Sequence, residues 1–358
     1  MSHTAPTPRA ELDGIPAYVP KPPKPPAEGP SYRLFLNENP YPPLPSVLAA
    51  ITEAAAQTNH YPNIFPDRLT DALARRLDVP PEHLTTGPGS VGIYQQIGQA
   101  MLKPGDEVVY AWPSFEAYPI VVRMAGAVPV EVPLADGVHD LDAMAAAITP
   151  RTSAVFLCEP NNPTGTAVGA AELKRFLDRV PSDVLVVLDE AYYEFYRSPD
   201  APDGVALHHD RPNLLALRTF SKAYGLAGLR VGYGVARPAL AQALRKCAVP
   251  CGVSRVAEEA ALASLRAEHE LFERVDRIVA ERERLRTALT AQGWAVPPSE
   301  TNFLWVSAGA GSEALAGELE RGGLLVRAFP GDGLRVTVGS SEANDLLIAA
   351  VGRLTPGR

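Results

Sequence analysis

Lys222 lies in the run Thr219-Phe220-Ser221-Lys222-Ala223-Tyr224-Gly225-Leu226-Ala227-Gly228-Leu229-Arg230, among small, apolar and hydroxyl side chains with an arginine eight positions on. Desolvation and a nearby cation both disfavour an ammonium ion, so such surroundings lower a lysine's pKa. A neutral amine can attack a carbonyl and hold it as a Schiff base. The hydroxyls of Thr219 and Ser221 and the guanidinium of Arg230 are the donors a phosphate monoester takes. Pyridoxal 5′-phosphate combines the aldehyde and the phosphate that these groups would bind. A glycine-rich turn with a solvated lysine has the same local composition, so the rest of the chain decides.

Four further constellations bear on chemistry. Gly87-Pro88-Gly89-Ser90 joins a strand pattern to a helix pattern, and the free N–H groups at a helix start bind phosphate. Asn161-Asn162-Pro163-Thr164-Gly165 follows a strand ending in Cys158-Glu159-Pro160; it suits a turn, but it lies at a strand's C-terminal end, where open α/β sheets bind ligands. Asp189-Glu190-Ala191-Tyr192 ends the next apolar run, and a carboxylate there could hold a pyridinium proton as readily as cap a turn. Trp112-Pro113-Ser114-Phe115 offers a ring to stack on a planar cofactor, or simply core. Gly232-x-Gly234 opens a dinucleotide fingerprint without its third glycine, which argues against a nicotinamide enzyme.

The elements that must position these groups alternate between strand and helix, the signature of a mainly parallel sheet covered on both faces. Strands are predicted near 83–86, 107–112, 128–132, 154–158, 184–189, 214–219 and 231–235, with helices over 91–102, 115–125, 141–148, 170–180 and 239–246. Ser182-Asp183-Val184-Leu185-Val186-Val187-Leu188 is almost continuously apolar after its polar start, as a central strand requires. Beyond Pro250 a long helical pattern covers roughly 253–291. Short strands at 302–306, 324–327 and 334–338 and helices near 313–321 and 342–354 follow. The predicted fold class is therefore α/β, a mainly parallel seven-stranded sheet domain with a smaller α+β domain. The large domain spans 45–249, the small one 34–44 with 250–358, and residues 1–33 form an arm whose proline content favours extended, disordered chain.

Composition narrows the partners. With 33 Lys and Arg against 41 Asp and Glu, the net charge of −8 offers no broad basic surface for nucleic acid. No apolar run is long enough to span a bilayer and no signal-peptide pattern opens the chain, so a cytoplasmic location is expected. Three cysteines, Cys158, Cys247 and Cys251, make no disulfide framework. Cys247 and Cys251 could face each other on a helix but lack partners at metal spacing, so no metal is expected.

Glycine-serine turn, aromatic, Asn-Pro-Thr-Gly, Asp-x-x-Tyr, Ser-Lys and distal Arg, in that order, resemble the fold-type I pyridoxal-phosphate aminotransferases, within them the histidinol-phosphate/aromatic (phenylalanine) subgroup. The resemblance runs from about Asn37 to Gly339. It implies that Lys222 binds the cofactor covalently and shuttles the substrate proton, that Asp189 pairs with the pyridine nitrogen, and that Asn162 and Tyr192 hydrogen-bond the ring hydroxyl. It implies Phe115 as the stacking ring, and Ser90, Thr219, Ser221 and Arg230 as phosphate ligands, joined by Tyr61 from a second subunit of a homodimer. Arg335, in Gly333-Leu334-Arg335-Val336-Thr337-Val338-Gly339, matches the arginine that takes the substrate's anionic group, with Tyr18 and Asn37 as further substrate contacts.

Two positions depart from the histidinol-phosphate pattern. Val91-Gly92 replaces an acidic pair, and Glu159 follows Cys158 where a small or amide residue is usual. The segments around 112–119 and the Ser-Lys run look closer to the aromatic enzymes. The expected activity is transamination between an aromatic amino acid and 2-oxoglutarate. Histidinol-phosphate transamination is the alternative, and a phosphothreonine decarboxylase on the same scaffold is a third. A cofactor-binding regulator would need a basic winged helix that the proline-rich start cannot supply.

Overall fold

A computed structural model describes residues 7–16 and 30–354. Seven strands form the larger sheet: β2 (Leu84–Gly87), β3 (Glu107–Trp112), β4 (Val128–Pro133), β5 (Thr152–Cys158), β6 (Leu185–Asp189), β7 (Leu214–Thr219) and β8 (Gly232–Val235). Their spatial order is β2-β8-β7-β6-β5-β3-β4, parallel except for β8, which runs against both neighbours.

The apolar run read as a central strand is β6, buried at every position. Alternation divides it between two cores. Leu185 and Val187 pack with Ile93, Tyr94 and Ile97 from the helix Gly89–Met101, whereas Val186 and Leu188 pack with Leu173 and Phe176 from the helix Ala170–Leu177. Full burial of each such side chain stabilises the fold by about 1.5–3 kcal/mol. The register then matters for function. Cys158 stands beside Asp189, and Asp189 beside Leu217, so β5, β6 and β7 end along one edge.

The smaller sheet joins β1 (Tyr32–Leu34), β9 (Phe303–Ser307), β10 (Leu324–Phe329) and β11 (Gly333–Thr337) in the order β1-β10-β11-β9. Tyr32 and Arg33, which composition assigned to the proline-rich arm, pair in parallel with Leu324 and Leu325 instead. Three residues with no period of their own become a strand because an edge of β10 is there to receive them.

Several other expectations are corrected by packing. Part of the arm is ordered: a 3₁₀ turn, Ala10–Gly14, lies against the helix Tyr118–Met124, and Arg9 donates to the Met124 carbonyl at 2.5 Å. That helix starts three residues later than the 115–125 pattern, which leaves Phe115 in a turn that closes when the Tyr118 N–H bonds the Phe115 carbonyl. The long pattern over 253–291 is two helices, Arg255–Arg266 and Glu268–Ala291, broken at Ala267. No glycine or proline marks that break; Glu268, opening the second helix, is instead held by Tyr224 at 2.8 Å and by Arg76 at 2.5 Å. Cys247 caps the helix Pro238–Lys246 and Cys251 sits in a turn at φ 57°, so the two share no helix.

Candidate active site

The strand ends open into a cavity of about 430 Å³ lined by Ser90, Phe115, Asp189, Lys222, Arg230 and Arg335, with Asn162, Tyr192, Thr219 and Ser221 also in its wall. These predicted groups, scattered over more than two hundred residues, therefore meet in one place.

Lys222 donates from Nζ to the carbonyls of Leu36 (3.1 Å) and Asn37 (3.3 Å). Its pKa is lowered to about 7, chiefly by desolvation, then by the Arg335 cation; Glu38 and Asp189 oppose the shift and Arg230 adds to it. Arg230 was the cation legible in the sequence, but Arg335, more than a hundred residues away along the chain, weighs more.

At one end of the cavity the Thr219 and Ser221 hydroxyl oxygens are 2.9 Å apart, and Arg230 Nη1 donates to Ser221 Oγ at 3.3 Å. Arg230 reaches there from a left-handed backbone, φ 59°. Gly89 and Gly232 keep this end open: a Cβ on Gly89 would stand 2.3 Å from the Arg230 guanidinium, and one on Gly232 would stand 2.8 Å from the Ser90 nitrogen. Ser90 lies in the first turn of the helix Gly89–Met101, whose leading N–H groups have no partners within the helix.

Asp189, 2% exposed, sits deep in the cavity. Its Oδ2 accepts from Tyr94 at 2.9 Å and Tyr118 at 3.4 Å, and its Oδ1 accepts from the Ala191 N–H at 3.2 Å. Burial pushes its pKa up to about 6, while the Tyr94, Ala191 and Tyr118 donors hold it down. Sequence reasoning singled out neither tyrosine. The available signal was the buried hydroxyl itself, which needs a partner.

On the opposite wall Arg335 donates from Nη1 to Asn162 Oδ1 (2.5 Å) and from Nη2 to the Phe35 carbonyl (2.6 Å). Its Nε is buried with no partner among the described residues. The Tyr192 hydroxyl accepts from Asn37 Nδ2 at 2.9 Å, which leaves its own proton free to donate. Asn37, at φ 55°, is held by Thr337 on both its N–H (3.0 Å) and its Oδ1 (3.1 Å). Asn302 Nδ2 donates to the Asn37 carbonyl at 3.1 Å. Asn302 carried no motif, and Thr337, although inside the Gly333–Gly339 run, was given no role. Asn37, expected as a substrate contact, lines the cavity; its side chain bonds Tyr192 and Thr337 and its carbonyl accepts from Lys222.

Tyr61 is 88% exposed and stands apart from its own chain's cavity. Tyr18 lies outside the described residues. Glu159 is buried beneath the Asn161–Gly165 turn, where its Oε1 accepts from the Val168 N–H at 3.0 Å; burial raises its pKa well above the usual carboxylate range. Among the described residues no group of three or more His, Cys, Asp or Glu could hold a metal ion, and no helix is long and apolar enough to cross a membrane.

A crevice at the ends of parallel strands, with a depressed-pKa lysine facing a buried aspartate, defines the architecture of the fold-type I pyridoxal-phosphate-dependent transferases. Residues 32–351 match the family described as aminotransferase class I and II, and the chain belongs to it. It is an aminotransferase. A Streptomyces coelicolor protein named aromatic amino acid aminotransferase is 60% identical, covering 97% of each chain. A Thermobifida fusca protein of the same name is 53% identical over 98% of this chain and 97% of its own. Among solved structures, histidinol-phosphate aminotransferase from Sinorhizobium meliloti, in complex with pyridoxal-5′-phosphate, superposes with a TM-score of 0.85 at 34% identity, covering 90% of each chain.

Proposed function

We propose that this aminotransferase exchanges the amino group of an aromatic amino acid, phenylalanine or tyrosine, with 2-oxoglutarate, using pyridoxal 5′-phosphate as a cytoplasmic homodimer. The observation that carries the substrate class is the pairing of Arg327 with Glu116. Arg327 stands opposite Arg335 across β10 and β11, yet its charge is already answered by an acid. A near-dianionic phosphate calls for more than one free cation, whereas a carboxylate is satisfied by a single bidentate arginine. Phe329 packs beside Trp305 at 5.4 Å and lies within 6.0 Å of the Arg335 guanidinium, so an aromatic surface adjoins the carboxylate site. The names of the Streptomyces and Thermobifida relatives support the same substrate class.

The donor set fits the cofactor. An amine of lowered pKa would take its aldehyde, the hydroxyls and guanidinium that converge at one end would take its phosphate, and Gly89 and Gly232 leave the space a Cβ would fill. Bound there, the group would supply an electron sink for negative charge developing at the substrate Cα. Lys222 would anchor it and carry the proton removed from Cα, because an amine near pKa 7 both accepts and returns a proton at neutral pH. Asp189 would hold the proton on the pyridine nitrogen. Tyr192 and Asn162 would contact the ring hydroxyl, and Phe115 would cover the ring face. Ser90, Thr219, Ser221 and Arg230 would bind the phosphate. Arg335 would fix the substrate carboxylate, which aims the Cα–H bond at Lys222.

Tyr61 would complete the phosphate site of the partner subunit. Its exposure, and that of Ile64 and Val249 at 62% each, supports a surface meant to be covered. A coupled assay comparing phenylpyruvate with imidazole-acetol phosphate as amino acceptor tests the substrate. The expected result is higher kcat/KM for the phenylalanine/phenylpyruvate pair. A preference of about tenfold or more for histidinol phosphate would overturn it.

A further inference from the structure

Asp189 is supported from behind by a short hydrogen-bonded chain that touches no ligand position. The hydroxyl oxygens of Tyr94 and Tyr118 are 3.1 Å apart, and Tyr94 reaches Asp189 Oδ2 at 2.9 Å. Each hydroxyl carries one proton. The arrangement that uses the two shorter contacts has Tyr118 donating to Tyr94 and Tyr94 donating to Asp189. Neither side chain can turn away, because both are fully buried. Tyr94 packs on Phe156 at 5.1 Å between ring centroids, and Tyr118 on Phe156 at 5.3 Å and Phe115 at 5.5 Å.

We propose that Tyr94, backed by Tyr118, is a positioning residue that keeps the Asp189 carboxylate a weak base, so that a shared proton stays on the cofactor's ring nitrogen. The inference rests on the cofactor reading above. A pyridine nitrogen and a buried carboxylate share one proton, which resides on the more basic partner. Burial makes Asp189 more basic, and each hydroxyl donating to its anionic form makes it less so. Donors linked in series polarise one another, so Tyr118, whose single proton goes to Tyr94, acts on Asp189 through Tyr94. The other titratable groups that face Asp189 are Cys158, Glu190, Tyr192 and Lys222. Of these Glu190 adjoins Asp189 in sequence and Tyr192 lies three positions on, and none donates a hydrogen bond to its carboxylate; Tyr94 does.

The test is ¹⁵N NMR of the holoenzyme reconstituted with pyridoxal phosphate labelled at the ring nitrogen, for the wild type, Tyr94→Phe, Tyr118→Phe and Asp189→Asn. Phenylalanine keeps the ring contacts and removes only the hydroxyl. The wild-type resonance is expected at the protonated pyridinium position. In Tyr94→Phe it should move toward neutral pyridine, with kcat lower by on the order of tenfold; in Tyr118→Phe it should move the same way by less. A purely structural role for Tyr94 would leave the resonance unmoved, and a Tyr94→Phe spectrum identical to the wild type, with cofactor bound, overturns the proposal. Should Tyr94→Phe not fold, an unmoved resonance in Tyr118→Phe overturns it equally. Failure of the cofactor reading itself looks different: the wild type then takes up no labelled cofactor, or its resonance is indistinguishable from that of Asp189→Asn.

Discussion

Arg327 on β10 and Arg335 on β11 are direct partners in an antiparallel pair, yet their guanidinium groups serve different acceptors. Arg335, buried, bonds Asn162 and the Phe35 carbonyl inside the cavity. Arg327, half exposed, pairs with Glu116 at the cavity's rim. Removing the first should therefore hurt far more than removing the second. Arg335→Ala is expected to lower kcat/KM for phenylalanine on the order of a hundredfold, the size of a lost charge-assisted interaction. Arg327→Ala should change it by no more than a few-fold, since solvated ion pairs contribute about 0–1 kcal/mol. Equal losses would mean that both arginines bind substrate.

Lys222 and Arg335 are coupled through charge, and that coupling has a pH signature. The amine is the reactive form, so capture of pyridoxal phosphate by the apoenzyme should accelerate as pH rises through about 7. Taking away the Arg335 cation favours the ammonium ion, so Arg335→Ala should move that midpoint to higher pH. Stopped-flow absorbance in the visible reads both. Lys222→Ala should remain folded, show no visible absorbance change on adding the cofactor and lose turnover; activity above a trace would refute the role given to this lysine. A midpoint unmoved by Arg335→Ala would mean that this cation does not lower the lysine's pKa.

Tyr61 offers a test of shared sites. Tyr61→Phe should weaken cofactor retention, and Lys222→Ala should be inactive. Mixing the two variants should restore part of the activity, because one site of each heterodimer then has an intact lysine and an intact tyrosine. Activity that never rises on mixing would place Tyr61 outside the neighbouring site.

Far from the cavity, His83 Nδ1 lies 3.0 Å from His208 Nε2, and His208 Nδ1 donates to the Val205 carbonyl. That contact assigns His208 Nε2 as an acceptor and His83 Nδ1 as the donor, both rings neutral. Burial is the main cause that lowers both pKa values below the ordinary 6.5. The unfolded chain therefore binds more protons than the folded one as pH falls below 6.5. This pair's contribution to stability is complete above that pH and is lost below it. The midpoint of urea unfolding should drop between pH 7.5 and 5.5, and His208→Gln should flatten the drop. An equal slope in the variant would assign the acid sensitivity to other groups.

Much of the molecule was legible in the chain because its signals are local. Alternating strand and helix periods, β6 as a continuous apolar run, and turn residues at strand ends foretell a parallel sheet with ligands at its C-terminal edge. Lys222, Asp189, Asn162 and Ser221 lie in such motifs, and the cavity gathers them. What the chain could not reveal depends on distant contacts. Tyr32–Leu34 is a strand only because β10 offers an edge, and the helix break at Ala267 has no local cause. Tyr94, Tyr118, Asn302 and Thr337 look like ordinary core or strand residues until folding turns their polar atoms onto Asp189 and Asn37. The same is true of electrostatics. A lysine's charge state depends on distance and dielectric in space, so Arg335, remote in sequence, outweighs Arg230 only once β11 has been laid against the strand ends.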